Sequence, residues 1–346
     1  MKTLAKLFML ALIAVIIGGG YIWWRTSISF TVMATDDPGP SYTLQADDFL
    51  IEIPDSYQLT FLNGLLQWPD GFRLDFQEYI DSEAQQLEAR YNRPFTPDDL
   101  ERGAEKYDLS RELGRPSIMA YYPPDKRRAE AELSLMVKFH NGLTIFRLPA
   151  YRLSGSGEPD AQLAENKRLF LLSVKEFMES YYWTGSHIGR PEPGVFRTRL
   201  GLISKKKTDG FRYWPMKAVF WSNDLAQSFE LTAVRGESTG DLCSLGRLDR
   251  FSRQWSGQAA YRSNCLGLTV GGRRGAELLS LRESGLEKSP YQLAWIPDQA
   301  GQEGGKPCFS FHMNSPLRSA DKDQTPEGPE SVIGRWRAML ATVRFF

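Results

Sequence analysis

One uncharged, strongly apolar stretch near the N-terminus most restricts how this chain of 346 residues can fold. Residues 7–24 contain no charged side chain, and a helix over them would extend about 27 Å, close to the hydrocarbon thickness of a bilayer. Two lysines precede the stretch and three aromatic residues suited to a membrane interface close it: Lys2, Lys6, Tyr21, Trp23 and Trp24. The sequence therefore predicts a single-pass transmembrane anchor over residues 1–25, with the N-terminus in the cytoplasm and the remaining body exported.

A cleaved signal peptide is the alternative interpretation, because Gly18, Gly19 and Gly20 offer small residues to a peptidase. Cleavage there would leave Tyr-Ile-Trp-Trp as a strongly apolar new N-terminus, whereas the same residues suit an interfacial anchor. The uncleaved anchor is favoured. Both interpretations place the body outside the cytoplasm.

The cysteines matter because an exported body meets an oxidising environment. The chain has three, Cys243, Cys265 and Cys308, so one intramolecular disulfide is the maximum. Cys243 with Cys265 closes the shorter loop and is the candidate pair. Cys308 is the alternative partner, and three unpaired thiols are the other possibility left open by the spacing.

The charge of the chain excludes one class of partner. Lysine plus arginine number 42 and aspartate plus glutamate also number 42, which gives a formal net charge of zero. A protein without a basic excess generates no long-range field that attracts nucleic acid. The length, together with a hydrophobic content of 42%, favours two domains with proper cores.

The order of the predicted elements favours an α+β fold with two domains, each a mainly antiparallel sheet covered by a helix. A polar tether spans residues 26–42. The N-terminal domain, 43–184, is predicted to contain strands at 49–54, 72–80, 117–122, 131–139 and 143–148, two short helices between 82 and 108, and a long helix over 159–183. Asn141-Gly142 predicts a tight hairpin between the last two strands.

A glycine- and proline-rich stretch, 185–194, is the predicted domain junction. The C-terminal domain, 185–346, is predicted to have the same order of elements as the first, with strands followed by a covering helix. Its predicted strands are 196–203, 213–221, 227–234, 266–270, 276–282, 291–296 and 307–313, and its predicted helix is 327–343.

One pattern suggests enzyme chemistry. Gly236-Glu-Ser-Thr-Gly240 matches the G-x-S-x-G nucleophile elbow of α/β-hydrolases, and Asp298 and His312 follow in the order that such enzymes use. An elbow needs a strand-to-helix turn and an upstream oxyanion loop, and the surrounding pattern is antiparallel and lacks such a loop. A serine hydrolase using Ser238 is therefore an alternative, and an ordinary surface turn is the favoured interpretation.

Other cofactor and metal patterns are weak. Cys308 and His312 are four residues apart, but the chain has no close Cys-x-x-Cys pair of the kind that structural zinc sites usually show. Gly304-Gly-Lys-Pro307 lacks the spacing of a phosphate loop. We therefore predict no catalytic residue, no metal and no cofactor.

Three local patterns together resemble the immunity proteins that protect bacteria against type VI secretion phospholipase effectors. The first motif is Phe-Leu-Ile-Glu-Ile-Pro over 49–54, followed by 59–61 and Gly64. The second motif, 190–201, contains Pro191, Glu192, Pro193 and Gly194 ahead of Phe196 and Gly201. The third motif, 270–277, contains Gly271, Gly272, Gly275 and Glu277.

The resemblance covers residues 45–343 and implies a two-domain protein that binds a secreted lipase without turnover. It also implies that the body lies in the periplasm, held at the inner membrane by residues 7–24. A generic envelope adaptor shares the anchor and the fold and is the remaining alternative. In the third motif, the glycine residues are predicted to permit a tight turn or close backbone approach. Glu277 is predicted to brace that turn, with contact to a partner as the second possibility.

Overall fold

A computed structural model describes residue 9 and residues 40–346, except for 102, 124–130, 141, 149–158, 185–194, 205–209, 226, 235–260, 283–290, 299–307 and 315–328. The contacts between residues divide the chain into two units. The first unit holds residues 40–220 together with Phe345 and Phe346, and the second holds 221–344. Apart from Met9, the predicted anchor lies outside the described residues. None of the helices that the structure does describe is long and apolar enough to cross a bilayer.

The first unit begins with strands and ends with a strand that crosses its border. Its strands are β1 (Ser41–Ala46), β2 (Phe49–Pro54), β3 (Gln58–Gln67), β4 (Arg73–Ile80), β5 (Glu105–Asp108), β6 (Ser117–Tyr122), β7 (Glu132–Phe139), β8 (Gly142–Leu148), β9 (Tyr181–Trp183), β10 (Val195–Arg197), β11 (Gly201–Ser204) and β12 (Arg212–Ser222). Its helices are α1 (Asp81–Asn92), α2 (Pro97–Glu101), α3 (Ser110–Leu113) and α4 (Pro159–Ser180).

The main sheet of the first unit is antiparallel, with the strand order β12-β3-β4-β8-β7-β6-β5. The predicted hairpin between β7 and β8 is confirmed, but Gly142 lies directly opposite Phe139 as the first residue of β8, so this glycine is not a central residue of the turn. Smaller antiparallel sheets pair β1 with β2, and pair β11 with both β10 and β9.

Helices cover both faces of this sheet. On one face, Ala84 of α1 packs in a cluster with Met136, Leu143 and Ile145. On the other face, the ring of Phe177 in α4 lies 5.2 Å from the rings of both Phe76 and Phe146. The fully buried residues of α4 recur at helical spacing, at Phe170, Val174 and Phe177.

The second unit has the simpler architecture of one sheet with one helix. Its strands are β13 (Gln227–Val234), β14 (Tyr261–Val270), β15 (Arg273–Arg282), β16 (Tyr291–Pro297) and β17 (Cys308–Asn314), and its helix is α5 (Pro329–Ala341). The sheet is antiparallel, with the order β14-β15-β16-β17-β13. The buried stripe of α5 packs on it through Val332, Ile333, Trp336, Met339 and Leu340. A last strand, β18 (Arg344–Phe345), is hydrogen-bonded beside β2.

The mostly antiparallel sheets with few helices agree with the predicted α+β class. Two predictions about elements are wrong. Residues 196–203 form the two strands β10 and β11 instead of one strand, and the long helix ends at Ser180 because Tyr181 pairs with Ile203. The contact-based units meet between Phe220 and Trp221. The junction predicted at 185–194 lies outside the described residues, and as a boundary between independently folding domains it stays a prediction.

Candidate functional site

The third motif forms the hairpin between β14 and β15. Val270 lies opposite Arg273, so Gly271 and Gly272 make up the whole turn. Their φ angles are +55° and +82°, a conformation that side chains with a Cβ adopt at a cost. Two successive positive φ values are typical of the tight hairpin turn that follows the twist of the flanking strands.

Gly275 has a different role, because the absence of a Cβ lets β16 residues lie close to its backbone. A Cβ on this residue would lie 2.5 Å from the Ile296 carbonyl oxygen and 2.7 Å from the Trp295 ring. The bare backbone lets the indole of Trp295 lie across β15 and donate from Nε1 to the Leu268 carbonyl of β14 at 3.0 Å. The motif thus ties three neighbouring strands together.

Glu277 anchors the helix to the sheet. Its side chain is fully buried and accepts hydrogen bonds from Trp336 Nε1 at 3.0 Å, Arg337 Nε at 3.1 Å and Arg337 Nη2 at 2.7 Å. The ion pair is largely shielded from solvent, since the side chain of Arg337 is 12% exposed and that of Glu277 is fully buried. Glu277 therefore joins β15 to α5, and its burial excludes contact with a partner surface.

A second polar chain extends this arrangement. The buried Gln227 side chain accepts from Arg335 Nη1 at 2.9 Å and donates from Nε2 to the Tyr291 hydroxyl at 3.1 Å. It connects α5 to β13 and β16. Buried polar groups with complete hydrogen bonding favour one arrangement of the helix over alternatives.

The first unit has its own buried carboxylate, Glu78 on β4. One oxygen accepts from the hydroxyls of Tyr181 and Thr198, the latter at 2.9 Å, and the other accepts from the backbone N–H groups of Arg199 at 2.7 Å and Leu200 at 3.2 Å. Burial raises the pKa of the carboxyl above its ordinary 4.5, although these donors act in the opposite direction. Glu78 holds the turn between β10 and β11.

Arg199 strengthens this attachment. Its guanidinium binds both carboxylate oxygens of Glu83, at 2.6 and 3.0 Å, and also the Glu78 carbonyl at 3.2 Å. Glu83 in turn accepts from the Ile80 N–H at the start of α1, at 3.3 Å. The turn 198–200, β4 and α1 are thereby joined by one network.

The described end of the second motif packs on this network. Pro191, Glu192, Pro193 and Gly194 lie outside the described residues. Phe196 is buried with its ring 5.6 Å from that of Tyr213. A Cβ on Gly201 would lie 2.4 Å from the Tyr181 ring, so this glycine allows the hydroxyl of Tyr181 to reach Glu78.

The hydrolase alternative fails at its acid–base pair. Ser238 lies outside the described residues. Ala294, not Asp298, is the β16 residue opposite His312, and four further residues along the strand place Asp298 about 13 Å away. Asp298 is instead bound to Arg274, through its N–H at 3.0 Å and its carboxylate at 3.3 Å. His312 contacts Ser310 Oγ at 3.1 Å.

The predicted disulfide is not tested. Cys243 lies outside the described residues, and only the backbone of Cys265, opposite Leu278, and of Cys308 is described. The described part of the chain contains no group of three or more histidine, cysteine, aspartate or glutamate side chains placed to hold a metal ion.

Sequence reasoning missed Glu78 and Arg199. A signal for Glu78 was present, since it follows Phe72, Leu74 and Phe76 on the inward phase of the alternating strand β4. A charged residue in that phase predicts a buried carboxylate with donors. Arg199 had no such signal, because its partners are distant in sequence.

Comparison with known proteins places this fold. The sequence matches no protein-family model and no curated protein. The apo structure of the immunity protein TplEi of the type VI secretion system from Pseudomonas aeruginosa is similar, with a TM-score of 0.50 and 16% identity over 90% of this chain and 99% of that one. A chain of the Tle4-Tli4 complex matches with a TM-score of 0.50 and 17% identity over 89% and 98%. The resemblance read from the three motifs is confirmed at the level of the fold.

Proposed function

We propose that this chain is an immunity protein that binds a type VI secretion phospholipase effector in the periplasm and inhibits it. One observation carries the proposal: the shared fold extends over 90% of this chain and 99% of the TplEi immunity protein. Such coverage includes both units, so the likeness is not confined to a common submodule. The motif resemblance, which was read from the sequence alone, supports the same function independently.

The buried polar groups suit a binding protein. Glu78 and Glu277 are both fully buried. The hydrogen bonds of Glu78 fix the turn between β10 and β11, and those of Glu277 fix α5. Rigid attachment of this kind lowers the entropy lost on binding, because the contact surface is ordered before the partner arrives.

The proposed periplasmic location depends on the apolar segment near the N-terminus. Residues 7–24 would hold the body at the periplasmic face of the inner membrane, where a phospholipase would attack. A tether raises the local concentration of an inhibitor near its target. Fusions of alkaline phosphatase after residue 42 and of a cytoplasmic reporter at the same point test this topology, and phosphatase activity without reporter activity is expected.

The first step of the test is to look for a lipase gene next to this one and to purify its product. We expect the purified chain to form a one-to-one complex with it and to abolish hydrolysis of a phospholipid substrate. Cells that express the lipase in the periplasm should survive only with the chain present. A fluorophosphonate probe provides the control, since labelling of this chain that is lost in Ser238→Ala would establish an enzyme instead. Absence of both binding and inhibition would refute the proposal.

A further inference from the structure

Among the strands that the structure describes, none pairs with the outer edge of β14, and the sequence of β14 has few of the features that protect such an edge. β14 is the end strand of the described sheet in the second unit, and it pairs with β15 through ten consecutive residues without a bulge. Natural edge strands are commonly blocked by lysine, proline, inward charges or bulges. Tyr261–Val270 contains one charged residue, Arg262, and no proline.

The geometry indicates which backbone groups face outward. Trp295 reaches the Leu268 carbonyl from the β15 side, so that carbonyl points into the sheet. Because backbone polar groups alternate between the two edges of an antiparallel strand, Gly267 and Thr269 present theirs outward. Both residues are exposed, and no heavy atom lies within 4 Å of a Cβ built on Gly267.

The side chains of this edge are self-complementary. Leu266 and Leu268 are half-buried and share the face that carries Glu277, which lies opposite Leu266. In a two-fold antiparallel pairing centred on Gly267, each of these leucines lies opposite the other leucine of the second copy. Centring on Leu266 would instead place Leu268 opposite Asn264. Cross-strand apolar pairs stabilise such ladders, so the first register is selected.

We infer that a second copy of this chain adds its β14 to this edge, with Gly267 of the two copies directly opposite. The contact is isologous, because the same residues serve on both sides, and it closes as a dimer because each copy has one β14 edge to pair. The two five-strand sheets join into one. This association is separate from binding of an effector and stands whether or not that proposal holds.

Site-specific cross-linking tests the register. The full chain is expressed in bacterial cells with all three cysteines changed to serine, and single cysteines are introduced as Gly267→Cys or Thr269→Cys. In the inferred register the two Gly267 Cα atoms are about 5.5 Å apart, within the range that a disulfide bridges. The two Thr269 residues are offset by four positions, about 13 Å. Mild oxidation should link Gly267→Cys into a dimer and leave Thr269→Cys monomeric.

A mass measurement completes the test. Light scattering of the full chain in detergent should give twice the monomer mass of 39.3 kDa, and Thr269→Pro, which removes an outward-facing N–H, should return the monomer mass with an unchanged unfolding midpoint. Cross-linking at Thr269, equal linking at both positions, or a monomer mass for the unmodified chain would each overturn the inference.

Discussion

Removing the carboxylate of Glu277 should release α5 from the second unit. Glu277→Gln keeps the volume of the side chain but places an amide N–H₂ against donors, and it leaves the 12%-exposed Arg337 without its counter-ion. Breaking one partner of a buried ion pair costs about 3–5 kcal/mol. We therefore expect the unfolding transition of the second unit to lose about that free energy.

The measurement is urea unfolding followed by tryptophan fluorescence, because Trp336 donates to the same carboxylate. With a denaturant slope of about 1–3 kcal/mol per molar urea, the midpoint should fall by at least about 1 M. Arg337→Met alone should be similarly harmful, since it leaves Glu277 buried without its charge partner. The double variant Glu277→Gln with Arg337→Met should recover part of the loss, because it removes both charges and leaves neither of them without its partner. A loss below about 1 kcal/mol in both single variants would refute the reasoning.

Three further outcomes concern the first unit. Folding raises the pKa of Glu78, so the folded protein favours the protonated carboxyl. The free energy of unfolding, relative to that of Glu78→Gln, should therefore be greatest below pH 4.5 and should decline as the pH rises through the folded-state pKa. Urea unfolding across this pH range measures the difference. Gly64→Ala should cost about 1–3 kcal/mol in the same assay, because a Cβ there lies 2.2 Å from the Phe76 ring. Burial raises the pKa of Tyr181 and Tyr213 well above 10, so their stabilisation should be lost above pH 10, and ultraviolet titration should show them ionising only upon unfolding.

Each outcome has a matched check. Leu100→Ala, at a position of the same unit that is 60% exposed, should change stability by less than about 0.5 kcal/mol. An advantage of Glu78 over glutamine that grows with pH would mean that its four donors outweigh burial. Ionisation of all tyrosines near pH 10 in the folded protein would contradict the burial of the two phenols.

Local patterns in the sequence predicted much of the sheet structure. The alternation in 72–80 and the Asn141-Gly142 pair are properties of neighbouring residues. They predicted β4 and the existence of the β7–β8 hairpin, whereas the register of that hairpin places Gly142 in β8. The end of α4 could not be predicted in this way. Tyr181 leaves the helix because it pairs with Ile203, a residue whose position depends on the rest of the fold.

The same limit applies to the polar clusters. Gly271 and Gly272 are neighbours in the sequence, and two adjacent glycines are enough to predict a tight turn. The bond from Glu277 to Arg337 and that from Arg199 to Glu83 join residues far apart in sequence. A single sequence gives no measure of such distances, so Glu277 was expected to brace a turn or to contact a partner, and the fold instead buries it fully against α5.

The last two residues of the chain belong to the unit that is made first. Phe345 packs on Phe49, with 5.7 Å between ring centroids, and the Phe346 N–H donates to the Asp48 carbonyl at 3.0 Å. The first unit therefore lacks this contact until the residues of the second unit have been synthesised. The second unit is thus inserted in sequence between two parts of the first, and its synthesis precedes the contact of Phe345 with Phe49.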